Sequence, residues 1–396
     1  MKILMLIYKV MRQPLGNRVR NEAIALLEKG YQVKAIKCRW KGNEPEIERL
    51  KDIEIENLKF KMPETKLGLI FYLPIFYVKC IPKLMRENFD MIYCQHLLML
   101  PVALFVAKMK GTKIVYDAYE MYSIDFSNYV PYFSEVLKKI IEFFENKLTM
   151  LTDCIITIDS VNNFLANRYR RFNKNVCVLY NVPDSEPKID LEKFRKLQEK
   201  YKGVKLLIYV GGINKSKGFR KALEALILVK KQISNVKLLL IGSLDNASEK
   251  DSLEYIRTNG IEKDVEIIPW LPYGQMFCYL KIAHIGLALH QPVERFLLVS
   301  KGNGRKFFTY MQAGLPVVGP DFGEIGLVVK EEKCGILVDT TDPREIANAI
   351  IYLLEHPEEA KAMGERGKKA VEEKYNWEIE KSKLIKLYKS LLKDLR

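Results

Sequence analysis

"VKLLIYVGGINKSKGFRKALEAL", Val204 to Leu226, holds the transition that decides the fold. An apolar run of strand length stops at Val210, Gly211 and Gly212 break it, and a short loop with Lys215 and Lys217 leads into a helical pattern near Gly218. Strand, turn and helix in that order are the repeating unit of a parallel sheet with crossover helices. The same alternation continues downstream through "NVKLLLIGS", "DVEIIPW", "HIGLALH", "LPVVGP" and "GILVD". Upstream it runs through "KILMLIY", "YQVKAIKC", "DMIYCQ", "TKIVYDA", "CIITID" and "NVCVLYN", with the helix "NRVRNEAIALLEKG" joining the first pair. Between the two series lies "VPDSEPKIDLEKFRKLQEKYKG", a polar segment with two prolines that reads as a link. The expected fold class is therefore α/β, with two doubly wound parallel-sheet (Rossmann-like) domains, 1–182 and 183–379, facing across a cleft. A C-terminal helix, 380–396, is expected to pack back on the first domain.

Composition agrees with two domains. A chain of 396 residues, 48% of them apolar, exceeds one ordinary core. The formal charge of +15 attracts polyanions in general. Stretches such as "EHPEEAKAMGERGKKAVEEKY" interleave that charge with glutamate, as solvated helix faces do. No nucleic-acid recognition module accompanies it, so nucleic acid is not an expected partner. The seven cysteines are scattered singly without a CxxC pair, which suits a reducing cytosol. The opening "MKILMLIYKV" has too short an apolar run for a secretion signal and lacks a cleavage site, so it reads as a buried first strand. Leu67 to Leu84, "LGLIFYLPIFYVKCIPKL", is the most apolar stretch, but Pro74, Lys79 and Pro82 interrupt a barely sufficient length for a spanning helix. The expected location is the cytoplasm, and this stretch together with the positive charge raises peripheral contact with the inner membrane face.

In open α/β sheets ligands settle beyond the carboxyl ends of the strands. At the first informative loop, Gly211 and Gly212 allow close backbone approach, while Lys215, Lys217 and the helix start favour phosphate. The spacing is neither a Walker loop nor a dinucleotide fingerprint, and a plain tight turn is the other reading. The second loop opens "RKFFTYMQAGLPVVGPDFGEI", Arg305 to Ile325, a helix ended by Gly314 with Pro316 beyond it. Arg305 and Lys306 in its first turn oppose the helix dipole at a cost of about 0.3–1 kcal/mol, which an arriving anion or exposure to solvent would relieve. His284 and His290 flank a strand without metal-ligand spacing, no Asp-x-Asp box occurs, and no metal is expected.

In ordered blocks along nearly the whole chain, the sequence resembles the retaining glycosyltransferases of family 4 (group 1), which have the GT-B fold. "GNRVRNEAIALLEKGYQV", "DMIYCQHLLMLP", "KIVYDAYEMY", "LTDCIITIDS" and "VCVLYNVPD" resemble blocks of the N-terminal, acceptor-side domain. "YVGGINKSKG", "HIGLALHQP", "KFFTYMQAGLPVVGPDFGEI", "CGILVDTTDPREIANAI" and "KYNW" resemble the nucleotide-sugar half. The resemblance implies a sugar donor linked to UDP or GDP, a glycan or lipid-linked acceptor, no further cofactor, and a role in surface polysaccharide or glycoconjugate assembly. It gives Lys217 and Lys306 the donor diphosphate, Gly211 and Gly212 its turn, and Trp270 and Leu271 the base. Thr309 stands where the family has a ribose-binding glutamate, Tyr119 where a histidine is usual, and His96 in the aspartate position of a His-x-His-Asp block. Glu120 is retained and would orient an acceptor. The alternative is a catalytically silent glycosyltransferase-like subunit or glycan-binding protein.

Overall fold

The computed structural model describes residues 1–9, 14–39, 44–61, 66–127, 134–158, 163–212, 215–242, 246–298 and 305–393. Two compact units result: Met1–Asp159, Asn163–Leu179 and Glu380–Arg396 make the first, Ser160–Asn162 and Tyr180–Ile379 the second.

The first unit is built on β1 (Lys2–Lys9), β2 (Gln32–Arg39), β3 (Ile47–Leu50), β4 (Ile53–Lys61), β5 (Met91–Gln95), β6 (Lys113–Ala118), β7 (Cys154–Thr157) and β8 (Val176–Val178). They lie in the order β3-β4-β2-β1-β5-β6-β7-β8, and β3 with β4 is the antiparallel pair. Its helices are α1 (Asn17–Glu28), α2 (Lys66–Arg86), α3 (Leu100–Lys110), α4 (Tyr122–Ser127), α5 (Ser134–Thr149) and α6 (Phe164–Arg170). The edge hairpin β3–β4 is absent from the strand series read in the sequence. Its second strand alternates Ile53 and Ile55, which are buried, with Glu54 and Glu56. The Lys34 ammonium meets Glu54 at 3.0 Å and Glu56 at 3.2 Å, and Lys83 meets Glu56 at 2.8 Å. Charge along one face of β4 hides it from a search for apolar runs. The apolar stretch Leu67–Leu84 falls in α2, with Pro74 and Pro82 inside it. Among the described residues no helix is long and apolar enough to cross a membrane.

In the second unit the chain runs α7 (Leu191–Lys200), β9 (Lys205–Val210), α8 (Phe219–Lys230), β10 (Val236–Ile241), α9 (Asn246–Thr258), β11 (Val265–Ile268), α10 (Tyr273–Ile282) and β12 (Ile285–Leu287). It continues through α11 (Glu294–Leu298), α12 (Arg305–Ala313), β13 (Val317–Pro320), α13 (Gly323–Glu332), β14 (Gly335–Val338), α14 (Pro343–Glu355) and α15 (Pro357–Glu373). The strands lie in the order β11-β10-β9-β12-β13-β14, all parallel. Leu207 and Tyr209 of β9 enter one core with Phe219 of α8 and Ile350 of α14. Leu206 and Ile208 enter a second core with Phe277 of α10 and Phe308 of α12. Burial on both faces explains why "KLLIYV" is an unbroken apolar run rather than an alternating one. The polar segment read as a link contains α7, whose start is capped by the Asp190 carboxylate accepting the Lys193 N–H at 3.0 Å. The last helix, α16 (Trp377–Lys393), belongs to the first unit from Glu380 onward, where it buries Leu384 and Tyr388 completely.

Candidate functional site

Parallel strands bring all carboxyl ends of the second sheet to one edge. At that edge β9 has β10 on one side and β12 on the other, so the order of strands reverses there, as at the ligand crevices of open α/β sheets. The β9–β12 ladder ends at Ile208 opposite Gly286. Beyond it the Tyr310 hydroxyl, carried by α12, accepts the Val210 N–H at 2.7 Å and donates to the Leu287 carbonyl at 3.2 Å. Burial raises the Tyr310 phenol well above its ordinary range, so it stays a protonated bridge between two parting strands.

The glycine turn grows directly from that bridge. The Gly211 N–H donates to the Ile241 carbonyl at 2.7 Å, tying the turn to β10. Gly242, at φ +156°, passes so close that a Cβ there would lie 1.8 Å from the Gly211 carbonyl oxygen. Tyr209 then donates from its hydroxyl to the Lys217 carbonyl at 3.1 Å, holding the turn from beneath. Gly218 has φ +72°, and a Cβ on it would sit 1.9 Å from the Leu289 carbonyl oxygen. Only glycine combines that left-handed conformation with that contact. The Gln291 N–H donates to the Ser216 carbonyl at 2.9 Å, and its side-chain amide donates to Leu289 at 3.0 Å and Thr340 at 2.9 Å. Loops from β9, β12 and β14 are thus cross-tied, and half-buried Lys217 leaves a fixed base at the start of α8. The unpaired first-turn N–H groups of an α-helix beside an ammonium suit an anion.

Other residues singled out in the sequence fall on the same edge or outside it. Lys215 is exposed in the same short turn, Lys215–Lys217. Trp270, 48% exposed, and half-buried Leu271 follow β11, two strands from β9. Thr309 precedes Tyr310 on α12 and is only 2% exposed, a burial that sequence position alone did not disclose. Arg305 and Lys306 open α12, which as a crossover between β12 and β13 starts at the carboxyl edge; their side chains lie outside the described residues.

The first unit has its own switch point, with β1 flanked by β2 and β5. Half-buried Tyr119 and Glu120 follow β6. Below them Asp117 accepts two hydrogen bonds from Arg18, at 3.0 and 3.1 Å, and one from the Tyr93 hydroxyl at 2.6 Å. Glu22 meets the same guanidinium at 3.2 Å. Burial, then repulsion from Asp117, pushes the Glu22 carboxyl up against the opposing pull of Arg18. Arg18 also donates to the Leu179 carbonyl at 3.2 Å and lies 5.9 Å from the Tyr119 ring centre. Burial, with Glu120 and Asp117 nearby, raises the Tyr119 phenol and keeps it neutral. At the end of β5, His96 adopts φ +88°, a sparsely populated conformation for a residue with a side chain. Its ring stacks on Tyr8 at 4.4 Å and meets Tyr122 edge-on at 4.6 Å, and Nδ1 accepts the Leu98 N–H at 3.1 Å. Sequence reasoning did not give Arg18, Asp117, Tyr310 or Gln291 a role. The one available signal was Asp117, a carboxylate inside an otherwise apolar strand.

Residues 190–370 match the family described as Glycosyl transferases group 1. An uncharacterized glycosyltransferase of Methanocaldococcus jannaschii is 23% identical over 68% of this chain and 66% of its own length. The capsular polysaccharide biosynthesis glycosyltransferase CapM of Staphylococcus aureus is 26% identical over 52% of this chain and 53% of its own. The chain therefore spans between half and two thirds of these relatives. Among solved structures, a sucrose-phosphate synthase from Thermosynechococcus elongatus superposes with a TM-score of 0.79 at 18% identity, covering 99% of both chains. An Anabaena protein, HepE, solved in complex with UDP-glucose, gives 0.72 at 14% identity over 98% of this chain and 99% of its own. At such identities the likeness is one of fold, and the fold is GT-B.

Proposed function

We propose that this chain moves a sugar from a UDP- or GDP-linked donor to a glycan or lipid-linked acceptor, a reading supported by the match of residues 190–370 to the group 1 glycosyl transferases. Retention of configuration, a hexosyl donor and a role in surface polysaccharide or glycoconjugate assembly belong to the same reading. The observation that carries it is the cross-tied glycine turn at the β9–β12 switch point, which holds Lys217 at a helix start. Departure of the diphosphate leaves negative charge on its oxygens while positive charge builds at the anomeric carbon. Lys217, Lys306 and the α8 N-terminus stabilise that leaving group electrostatically, as fixed dipoles do in an oxyanion hole, without a metal or added cofactor. Gly211, Gly212, Lys215 and Arg305 contribute to the diphosphate pocket, Trp270 and Leu271 take the base, and Thr309 lies toward the ribose. Tyr119 and Glu120 orient the acceptor, with Arg18 and Asp117 fixing the segment beneath them. The bound UDP-glucose of the Anabaena neighbour and the capsular role in the name of the staphylococcal relative support this assignment. Lys217→Ala is expected to lower turnover with a UDP-sugar by on the order of 100-fold or more. Unchanged steady-state kinetics in that variant would remove Lys217 from the mechanism. The second reading is a catalytically silent subunit that binds nucleotide sugar without transferring it, because Tyr119 and Thr309 stand where the resembled family has a histidine and a glutamate. Binding by calorimetry without transfer to any acceptor extract would establish it.

A further inference from the structure

Helix α5 is built inside out. Glu145 on its inner side is 1% exposed and accepts hydrogen bonds from the Tyr116 and Tyr169 hydroxyls at 3.0 Å each and from Arg168 at 2.8 Å. Glu142 on the same side accepts the Ser123 hydroxyl at 3.0 Å. The outer side is the apolar one: Val136, Ile140, Phe143 and Phe144 are each 47% to 60% exposed. From Val136 to Leu151 every exposed residue is apolar or lysine, and the exposed carboxylate of α5 is Glu135 in its first turn. The Lys147 ammonium lies 5.7 Å from the Phe143 ring centre, and Lys139 is exposed on the same side. Helix α3 packs beside α5, and its exposed residues, Phe105, Lys108 and Met109, repeat the combination. A soluble surface helix has the opposite polarity, so this face is placed outward for a purpose.

We propose that the outer face of α5, extended by α3, is a membrane-docking surface that takes an anionic lipid bilayer. Lysines among aromatic and aliphatic side chains, with no exposed carboxylate from Val136 to Leu151, match an interface with negative headgroups above acyl chains. Helix α5 has 16 residues and so presents about 24 Å of that surface. A second copy of this chain would meet the same lysines with like charge. The proposal deepens the functional reading, because a lipid-linked acceptor lies at such a surface, but it does not depend on catalysis.

Flotation with phosphatidylglycerol–phosphatidylcholine vesicles tests it, using the full chain. At low salt the protein is expected to float with them, and to float far less with phosphatidylcholine alone or in high salt, which screens the lysines. The double variant Phe143→Ser, Phe144→Ser is expected to lower partitioning at least about tenfold. Lys139→Glu with Lys147→Glu is expected to abolish the preference for anionic vesicles. Both variants alter exposed positions and are expected to keep the wild-type melting temperature and UDP-sugar affinity, which separates loss of docking from misfolding or a failed donor site. Wild type that stays at the bottom of the gradient at low salt overturns the proposal. So does an aromatic variant that floats as well as wild type. A lipid-independent dimer that the aromatic variant dissociates would assign the face to a second copy instead.

Discussion

Replacing Tyr310 by phenylalanine removes one oxygen and no packing, and the structure sets the size of the effect. The Val210 N–H, held by that oxygen at 2.7 Å, would lose its acceptor, and the Leu287 carbonyl would lose a donor at 3.2 Å. An orphaned buried polar group costs about 1–3 kcal/mol, with the amide toward the lower end because Val210 is half-buried. A total of about 2–4 kcal/mol follows for the second unit. Val210 directly precedes Gly211, so the turn that carries Lys217 should loosen as well, and nucleotide affinity should fall about tenfold, the equivalent of 1.4 kcal/mol. Urea unfolding followed by tryptophan emission suits the measurement, since two of the three tryptophans, Trp270 and Trp377, lie in the second unit. Calorimetric titration with UDP gives the second quantity. A midpoint shift equivalent to less than about 0.5 kcal/mol would refute the bridge, since ordinary surface changes reach that size.

Gly218→Ala should lower soluble yield and weaken UDP binding by at least about tenfold, because left-handed strain of about 1–2 kcal/mol adds to a backbone clash; wild-type yield and affinity would contradict the contact with Leu289. Arg168→Leu should destabilise the first unit by about 3–5 kcal/mol by leaving Glu145 charged and buried, and a melting temperature within a degree or so of wild type would show that the pair is dispensable. The raised Glu22 carboxyl binds its proton more tightly folded than unfolded, so its contribution to stability is greatest in acid and declines as pH rises above about 4.5 toward the folded value. Glu22→Gln should flatten that part of the profile in urea titrations at successive pH values; an unchanged slope would assign the dependence to other groups.

The parallel series was legible because strands buried on both faces leave unbroken apolar runs, and "KLLIYV" followed by two glycines marks the turn on which the candidate site is built. The edge hairpin was not, because Glu54 and Glu56 interrupt its isoleucines for the benefit of Lys34 and Lys83, partners distant in sequence. Tyr310 reads as one more aromatic on an apolar helix until the separation of β9 and β12 gives its hydroxyl two backbone partners. Thr309 could be placed by resemblance, but its burial depends on how α12 lies on the sheet. Leu67–Leu84 drew attention as the most apolar stretch; α2 buries Phe76 and Cys80 and leaves Ile75 and Val78 exposed. A further outward apolar face lies on α5, where a helical period of glutamates turned inward is visible only once Arg168, Tyr116 and Tyr169 are in place.

Helix α16 ties the completion of the first unit to residues synthesised after the second. Leu384 and Tyr388 leave the ribosome after the whole second unit has emerged, although the hollow they fill belongs to a sheet begun at Lys2. The nascent amino-terminal half must wait, incompletely closed, while its neighbour folds. A stop codon near position 380 would therefore spare the distal half and injure the proximal one, the reverse of what its place in the gene suggests.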